Sequence, residues 1–339
     1  MAIDKVLQFK QIGDATGVGE ARRSALAMAR AADLNVTEAG KLAIAVTEAA
    51  ANVLKHAKGG EILLRGMEPG VEMLAIDKGP GIANLEQAIR DGQSTTGTSG
   101  IGLGAISRMA SVFDIYTRPG FGTALVAQFP PLDRRREPAA LLDPRLEIGA
   151  VEVPYPGETE CGDAWAASGT SLFMADGLGH GAQATQAASE AVAAFQDNQR
   201  RSPGDAVEAI HRAIRVTRGA AVALAQISPD LHTICFCGLG NINGVVINGE
   251  GNRSMLSRNG TAGHEVRHIA QFEYPWLEGG LLVLHTDGIS AKWDLKSYPG
   301  LLLRHPSLIA AVLYRDFRRK DDSTVVVVKA RPPRKEGVV

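Results

Sequence analysis

The stretch Pro130-Pro131-Leu-Asp-Arg-Arg-Arg-Glu-Pro138 cannot lie inside a helix or a central strand. Each proline lacks a backbone N–H and has a fixed φ, and three successive arginines are not core material. The chain is therefore divided here into two folding units. With 339 residues in all, each side can bury its own core, since domains run to about 100–200 residues. The arginines read either as a phosphate dock or as a solvated connector, and a short basic run inside a linker favours the connector.

Composition narrows what these units can be. Hydrophobic residues at 45% and charged residues at 22% exclude a disordered or collagen-like chain. Lys and Arg number 36 against 37 Asp and Glu, a net charge of -1, so no global positive field draws in nucleic acid or an anionic membrane. Any anionic ligand must be held locally. Three cysteines cannot build a paired disulfide framework, and Cys235 and Cys237, two apart on one strand face, read as small buried hydrophobes. The start, Met1-Ala-Ile-Asp-Lys, is charged, and no apolar run approaches the roughly 20 residues that span a bilayer, so the cytoplasm is the expected compartment.

In the first unit, helices are expected from about Gly19 to Ala32 and from about Thr37 to His56. Strands are expected at Glu61-Ile-Leu-Leu-Arg65, Val71–Asp77, Val112–Thr117 and Thr123–Phe129, giving a mixed sheet backed by helices. Glu48, Asn52 and His56 recur at every fourth position of the second helix, beside an apolar stripe of Leu42, Val46, Ala49 and Val53. A carboxylate and a carboxamide one turn apart can orient a hydroxyl and complete the shell of a hard cation; a solvated helix edge is the plainer reading. Asp77-Lys-Gly79-Pro-Gly81 follows an apolar strand, and Gly97-Thr-Ser-Gly100-Ile-Gly102-Leu-Gly104 opens a helix. An aspartate accepts an exocyclic amine, and a glycine-rich loop entering a helix offers amides to a polyphosphate. Because that loop does not follow the first strand of a βαβ unit, a dinucleotide fold is disfavoured.

The second unit alternates short strands (Ser171–Ala175, Ala221–Ala225, Val245–Ile247, Leu281–Leu284, Thr324–Val328) with alanine-rich helices near Ala182–Phe195 and Pro203–Arg215, a sheet-dominated α+β pattern. Aspartates sit at strand ends: Asp163, Asp176-Gly177, Asp287-Gly288 and Asp321-Asp322. A single Asp-Gly is ordinary turn chemistry. Together these positions form an oxygen-rich set suited to Mg²⁺ or Mn²⁺, and two such ions would activate a water for phosphoester hydrolysis.

These motifs carry two resemblances. Glu48 and Asn52 resemble the N box of the GHKL ATPase superfamily, Asp77-x-Gly79-x-Gly81 its first glycine box, Gly100-x-Gly102-x-Gly104 its second, and Phe121-Gly122-Thr123 the segment supporting its adenine site. A short loop between boxes and no upstream phosphoacceptor helix point away from sensor histidine kinases, toward the RsbT-like serine kinases of anti-sigma and stress switches. The resemblance implies ATP with Asp77 on the adenine amine, Asn52 on Mg²⁺, Glu48 activating the substrate hydroxyl, and Gly79, Gly81, Gly100, Gly102, Gly104 and Thr123 around the nucleotide. The second set resembles the SpoIIE and RsbX branch of the PPM-type phosphatases. It implies two Mn²⁺ or Mg²⁺ ions, with Asp176 bridging, Gly177 offering its carbonyl, Asp163 on one ion and Asp287 with Asp321 on the other; Asp322 competes for that last role. Cys161-Gly162 stands where that family has two glycines. The implied fold class is α+β, an N-terminal GHKL (Bergerat) α/β sandwich over residues 1–130, a linker at 131–144, a PPM-type αββα sandwich over 145–331 and a tail at 332–339. The implied partner is a STAS-domain substrate, a sigma-factor regulator or stressosome protein. A non-catalytic ATP-binding module that captures such a partner is the rival reading of the first domain.

Overall fold

The computed structural model describes residues 7–67, 69–90, 102–131, 143–228, 232–249, 251–277 and 279–331. Gly100, the Arg134–Arg136 run and the tail lie outside them. The described residues fall into two compact units, Met1–Ala139 with Leu295–Arg315, and Ala140–Asp294 with Asp316–Val339.

The first unit opens with β1 (Leu7–Ile12), α1 (Ala15–Ala31) and α2 (Val36–Asn52). Helix α1 starts where the Asp14 carboxylate caps the Gly17 amide. Helix α2 starts at a reciprocal capping box between Asn35 and Glu38, which satisfies two amides that lack helical partners. Then come β2 (Gly60–Met67), β3 (Gly70–Asp77), α3 (Leu85–Ile89), α4 (Gly102–Met109), β4 (Val112–Thr117) and β5 (Thr123–Phe129). The strands order as β1-β2-β3-β5-β4, and every pairing is antiparallel. The expected mixed sheet is thus wholly antiparallel: α1 and α2 bring the chain back to the end at which β1 stops, β2 turns directly into β3 and β4 into β5, and β5 lies between β3 and β4, which run in the same direction. Val71, Met73 and Ala75 on one face of β3 pack with Ala25, Met28, Leu42, Val46 and Ala49 of the helices.

The opposite face of this sheet is also buried: Leu63, Leu74, Ile76, Ala124 and Val126 are at most 4% exposed. Its cover comes from far along the chain. In Leu295–Arg315 the Ser307 hydroxyl donates to the Glu72 carboxylate at 2.9 Å, the His305 amide to Asp114 at 2.8 Å, and Arg304 to the same carboxylate at 3.1 Å. Division by chain order places this segment in the second domain, whereas in the structure it packs in the first unit.

The second unit begins with β6 (Leu146–Val153), β7 (Asp163–Ser168), β8 (Ser171–Gly177), α5 (Ala182–Asn198) and α6 (Pro203–Ala213). Strands β9 (Ala220–Ser228), β10 (Thr233–Leu239), β11 (Asn243–Asn248), β12 (Gly251–Met255), β13 (Ser257–Arg258), β14 (Phe272–Pro275) and β15 (Leu281–His285) follow. Helix α7 (Pro306–Phe317), which up to Arg315 belongs to the first unit, precedes β16 (Ser323–Ala330) of the second. One sheet runs β13-β10-β9-β8-β7 with β14 beside β10, and the other β12-β11-β15-β16-β6. Their inner faces share a core of Trp165, Met174, Phe236, Leu282, Leu284 and Val326. Phe173 and Leu224 on the outer face of the first sheet pack with Ala188, Phe195 and Ile210 of α5 and α6. Cys237 is buried and Cys235 half-buried on β10, both as free thiols.

Candidate functional sites

In the first unit, β3 stops at Asp77 because Lys78-Gly79-Pro80-Gly81 cannot continue a strand. Asp77 stands opposite Thr123 in the β3–β5 register. Its Oδ1 accepts the Gly79 amide at 2.8 Å and the Thr123 amide at 3.2 Å. No donor among the described residues holds its other oxygen. Burial raises the Asp77 carboxyl above its usual range, and the two amides pull it back. Gly81 has φ 70°, and a Cβ there would lie 2.1 Å from the Arg118 carbonyl. Gly122 has φ 81°, and a Cβ there would lie 2.1 Å from the Asp77 carbonyl. Both positions therefore require glycine. The Thr123 and Thr117 hydroxyls meet at 3.1 Å, and Thr117 accepts the Ile82 amide at 2.9 Å, fastening the loop after Asp77 to the β4–β5 hairpin.

Glu48 and Asn52 sit half-buried one turn apart on α2, and neither side chain has a hydrogen-bond or ion-pair partner among the described residues. After Asn52 the helix widens into a π turn, Val53–Ala57. That turn breaks the four-residue spacing, so the expected row ends at Asn52 and His56 leaves it, exposed. Single π turns of this kind recur at functional sites. Gly102 and Gly104 lie at the start of α4.

In the second unit the aspartates come together. Asp163 and Asp176 are directly opposed in the β7–β8 register. Asp163 accepts the Thr286 hydroxyl at 2.8 Å, which ties it to the end of β15, where Asp287 follows. Asp287 accepts the Asn241 amide group at 2.7 Å, and its backbone carbonyl accepts Arg319 at 3.2 Å. Asp322 accepts the Tyr155 amide at 2.8 Å, and its own amide donates to Asp321 at 2.9 Å. The glycines permit this crowding. A Cβ on Gly162 would stand 2.7 Å from Asp322 Oδ2, one on Gly177 2.2 Å from the Ala184 carbonyl, and one on Gly288 1.8 Å from the Asp322 carbonyl.

Electrostatics show how closely these charges interact. Burial, followed by the charges of Asp287, Asp321 and Asp322, pushes Asp176 up to about 7. Burial and Asp176 raise Asp163 well above the carboxylate range, against the Thr286 hydrogen bond. Burial and Asp321 raise Asp287, against Arg319 and Asn241. Asp176 thus feels the charges of Asp287, Asp321 and Asp322, and Asp163 those of Asp176 and Asp322.

Metal fit is tested by what these carboxylates lack. Asp163 Oδ1 and Asp322 Oδ2 are buried without any hydrogen-bond partner, an arrangement that a cation would relieve. An all-oxygen donor set suits Mg²⁺ or Mn²⁺. Among the described residues no three acidic, cysteine or histidine side chains already form a metal cage; what fits the ion is the pair of unpartnered oxygens within mutually repelling carboxylates. Asn241, Thr286 and the Tyr155 amide, which orient the aspartates, carry no sequence signal of their own. Only Thr286, flanked by His285 and Asp287, stands near one.

Both units are similar to known proteins. Residues 13–129 match the histidine kinase-like ATPase domain family, and residues 166–331 match the Stage II sporulation protein E (SpoIIE) family. The serine/threonine-protein kinase RsbT of Bacillus subtilis (strain 168) is 28% identical over 111 residues, 32% of this chain and 84% of RsbT. A solved chain described under "the bacterial stressosome: a modular system that has been adapted to control secondary messenger signaling" is 26% identical, with TM-score 0.50, over 54% of this chain and 98% of its own. RsbX in complex with magnesium is 19% identical, with TM-score 0.49, over 56% of this chain and 97% of its own. The chain joins a histidine kinase-like ATPase domain to a SpoIIE domain of the PPM phosphatase fold.

Proposed function

We propose that this chain, an ATPase-like domain fused to a PPM-type domain, is a signalling switch that phosphorylates a protein serine or threonine with one domain and dephosphorylates one with the other. The observation that carries the reading is the buried aspartate set around Asp176, with its unpartnered carboxylate oxygens and its carboxyl pushed up to about 7. Such a set is suited to neutralisation by divalent cations.

In the phosphatase half, Asp163, Asp176, the Gly177 carbonyl, Asp287 and either Asp321 or Asp322, whose Oδ2 is buried without a partner, would hold two Mn²⁺ or Mg²⁺ ions. When bound, the ions supply a water acidic enough to attack a phosphoester at neutral pH. Asn241 and Thr286 fix which oxygens of Asp287 and Asp163 face the ions.

In the ATPase half, the open oxygen of Asp77 would accept the adenine amine, with Gly79, Gly81 and Thr123 shaping that pocket. Gly100, Gly102 and Gly104 would receive the phosphates. Asn52 would complete the Mg²⁺ shell, and Glu48, one turn away and unpaired among the described residues, would orient the attacking hydroxyl. Likeness to RsbT and to a stressosome chain supports a STAS-domain regulator as the target and the cytoplasm as the compartment.

The deciding experiment uses Asp176→Asn, so that the phosphatase cannot erase the kinase product. Radiolabelled phosphate from ATP should appear on a STAS serine or threonine, and Glu48→Ala in that background should abolish transfer while keeping nucleotide affinity. If the Asp176→Asn parent binds partner and ATP but labels nothing, the first domain is a capture module. Independently, the wild type should release phosphate from a phosphoserine protein only with Mn²⁺ or Mg²⁺, and retained activity in Asp176→Asn would overturn the phosphatase reading.

A further inference from the structure

Even with two divalent cations seated, the carboxylates of Asp163, Asp176, Asp287, Asp321 and Asp322 leave their cluster net negative. A phosphomonoester dianion adds to that charge, so productive binding calls for a protein cation beside the site. Arg319 borders the cluster, but its guanidinium already donates to the Asp287 carbonyl at 3.2 Å.

The second arginine is placed differently. After α6 the chain turns through Val216-Thr217-Arg218-Gly219. Thr217 holds that turn, donating its hydroxyl to the Ile214 carbonyl at 2.7 Å and accepting the Gly219 amide at 3.0 Å. The Gly219 carbonyl then accepts the Leu178 amide at 3.1 Å. Leu178 directly follows Gly177, so the Arg218 turn is fastened to the loop that presents the Gly177 carbonyl. Arg218 Nη1 lies 3.2 Å from where a Cβ on Gly179 would stand, so its guanidinium rests on that loop through the space a side chain would fill. Arg218 is exposed, and no hydrogen bond or ion pair engages its side chain among the described residues.

We infer that Arg218 binds the phosphate group of the substrate, an assignment that rests on the phosphatase reading of the Asp176 cluster. Its planar fork suits two phosphate oxygens, and no carboxylate pairing must first be broken. The exposed apolar side chains of Leu178 and Val216, 45% and 88% exposed, flank it and offer shoulders for the residues on either side of a phosphoserine.

The test uses the full chain loaded with Mn²⁺, as wild type, Arg218→Ala and Arg218→Lys, with Arg212→Ala as control because Arg212 pairs with Glu208 at the surface. Two readouts are taken: kinetics on a phosphoserine protein, and calorimetric binding of inorganic phosphate. Losing a charge-assisted contact should raise KM and weaken phosphate binding by roughly 10- to 100-fold, with kcat within about threefold of wild type. Mn²⁺ affinity should be unchanged, and Arg218→Lys should recover part of the loss. Unchanged KM and phosphate affinity in an Arg218→Ala protein that still hydrolyses would overturn the inference and leave the phosphatase reading standing. Arg218-dependent phosphate binding without hydrolysis in the wild type would do the reverse. A wild type that neither binds phosphate nor hydrolyses overturns both, and an Arg218→Ala protein that loses Mn²⁺ affinity in step makes Arg218 a structural support, not a substrate contact.

Discussion

Ser307→Ala tests whether Leu295–Arg315 is seated on the second face of the ATPase sheet. Glu72, 1% exposed, accepts Arg65 at 2.7 Å, Gln128 at 2.8 Å and Ser307 at 2.9 Å. Burial alone would raise its carboxyl, but the Arg65 guanidinium, His305 and the hydrogen bonds from Gln128 and Arg65 outweigh it, so it is held below its usual value and is ionised at neutral pH. A hydrogen bond to a buried charge contributes about 1.5–3 kcal/mol. Ser307 and Gln128 share Oε2, so removing one leaves that oxygen with a donor and places the loss near about 1.5 kcal/mol. Arg65→Met strips the carboxylate of its counter-ion and should cost about 3–5 kcal/mol. Because the tryptophans Trp165, Trp276 and Trp293 all lie in the other unit, fluorescence melting would miss the effect. Hydrogen exchange resolved by peptide is the assay, and about 1.4 kcal/mol corresponds to tenfold faster exchange where opening is at equilibrium. In Ser307→Ala, amides of β3 and of 306–315 should both accelerate about tenfold. The change should be non-additive with Glu72→Gln. Unchanged β3 exchange, or acceleration confined to 306–315, would show that the segment does not rest on this sheet. The sign with pH follows from the lowered carboxyl: the stability Glu72 contributes is present above its ordinary, unfolded value of 4.5 and is lost as pH falls through its lower folded value.

Further expectations follow from the same geometry. The raised carboxyls of Asp163, Asp176 and Asp287 must ionise to take a metal, so Mn²⁺ affinity should climb as pH rises through about 7 for Asp176 and level off above it; a flat profile between pH ~5 and ~8, measured by calorimetry, refutes the coupling. Without metal the sign reverses for folding: stability from these groups is present below their unfolded pKa and lost as pH rises through the folded value, so thermal melting of the chelated protein should drop across the same window. Gly122→Ala places a methyl against the Asp77 carbonyl at φ 81°; it should destabilise the first unit by at least about 1–3 kcal/mol and weaken ATP binding, and a wild-type nucleotide isotherm would count against the Asp77 pocket. Asn241→Ala should weaken Mn²⁺ binding by about 10- to 100-fold while preserving the fold, as read by metal titration and circular dichroism.

Much of this was legible in the sequence because it is local. Alternation in Val71–Asp77 and in Thr123–Phe129 marks strands, the glycines after Asp77 mark a tight loop, and Asp-Gly at strand ends places carboxylates at sheet margins. The two domain types were readable from the order of those motifs. Four features needed tertiary structure. Strand direction in the first sheet depends on which strands pair, not on any one strand's pattern. The π turn at Val53–Ala57 changes the residues per turn without a local signal, so a four-residue count carried the row one step too far, to His56. Arg218 meets the Gly177–Gly179 loop only after some forty residues of intervening helix are folded.

The placement of Leu295–Arg315 shows the same limit most clearly. Strand β3 is apolar on both faces apart from Glu72 and its terminal Asp77, and alternation alone cannot distinguish a strand buried on one side from one buried on two. By itself the sequence determined the strands, the glycine turns and the acidic positions, since each follows from the preferences of adjacent residues. Which distant segment covers the second face was decided only by tertiary structure, because burying that apolar area and partnering the Glu72 charge are requirements that any part of the chain can meet and that Ser307 and its neighbours fulfil.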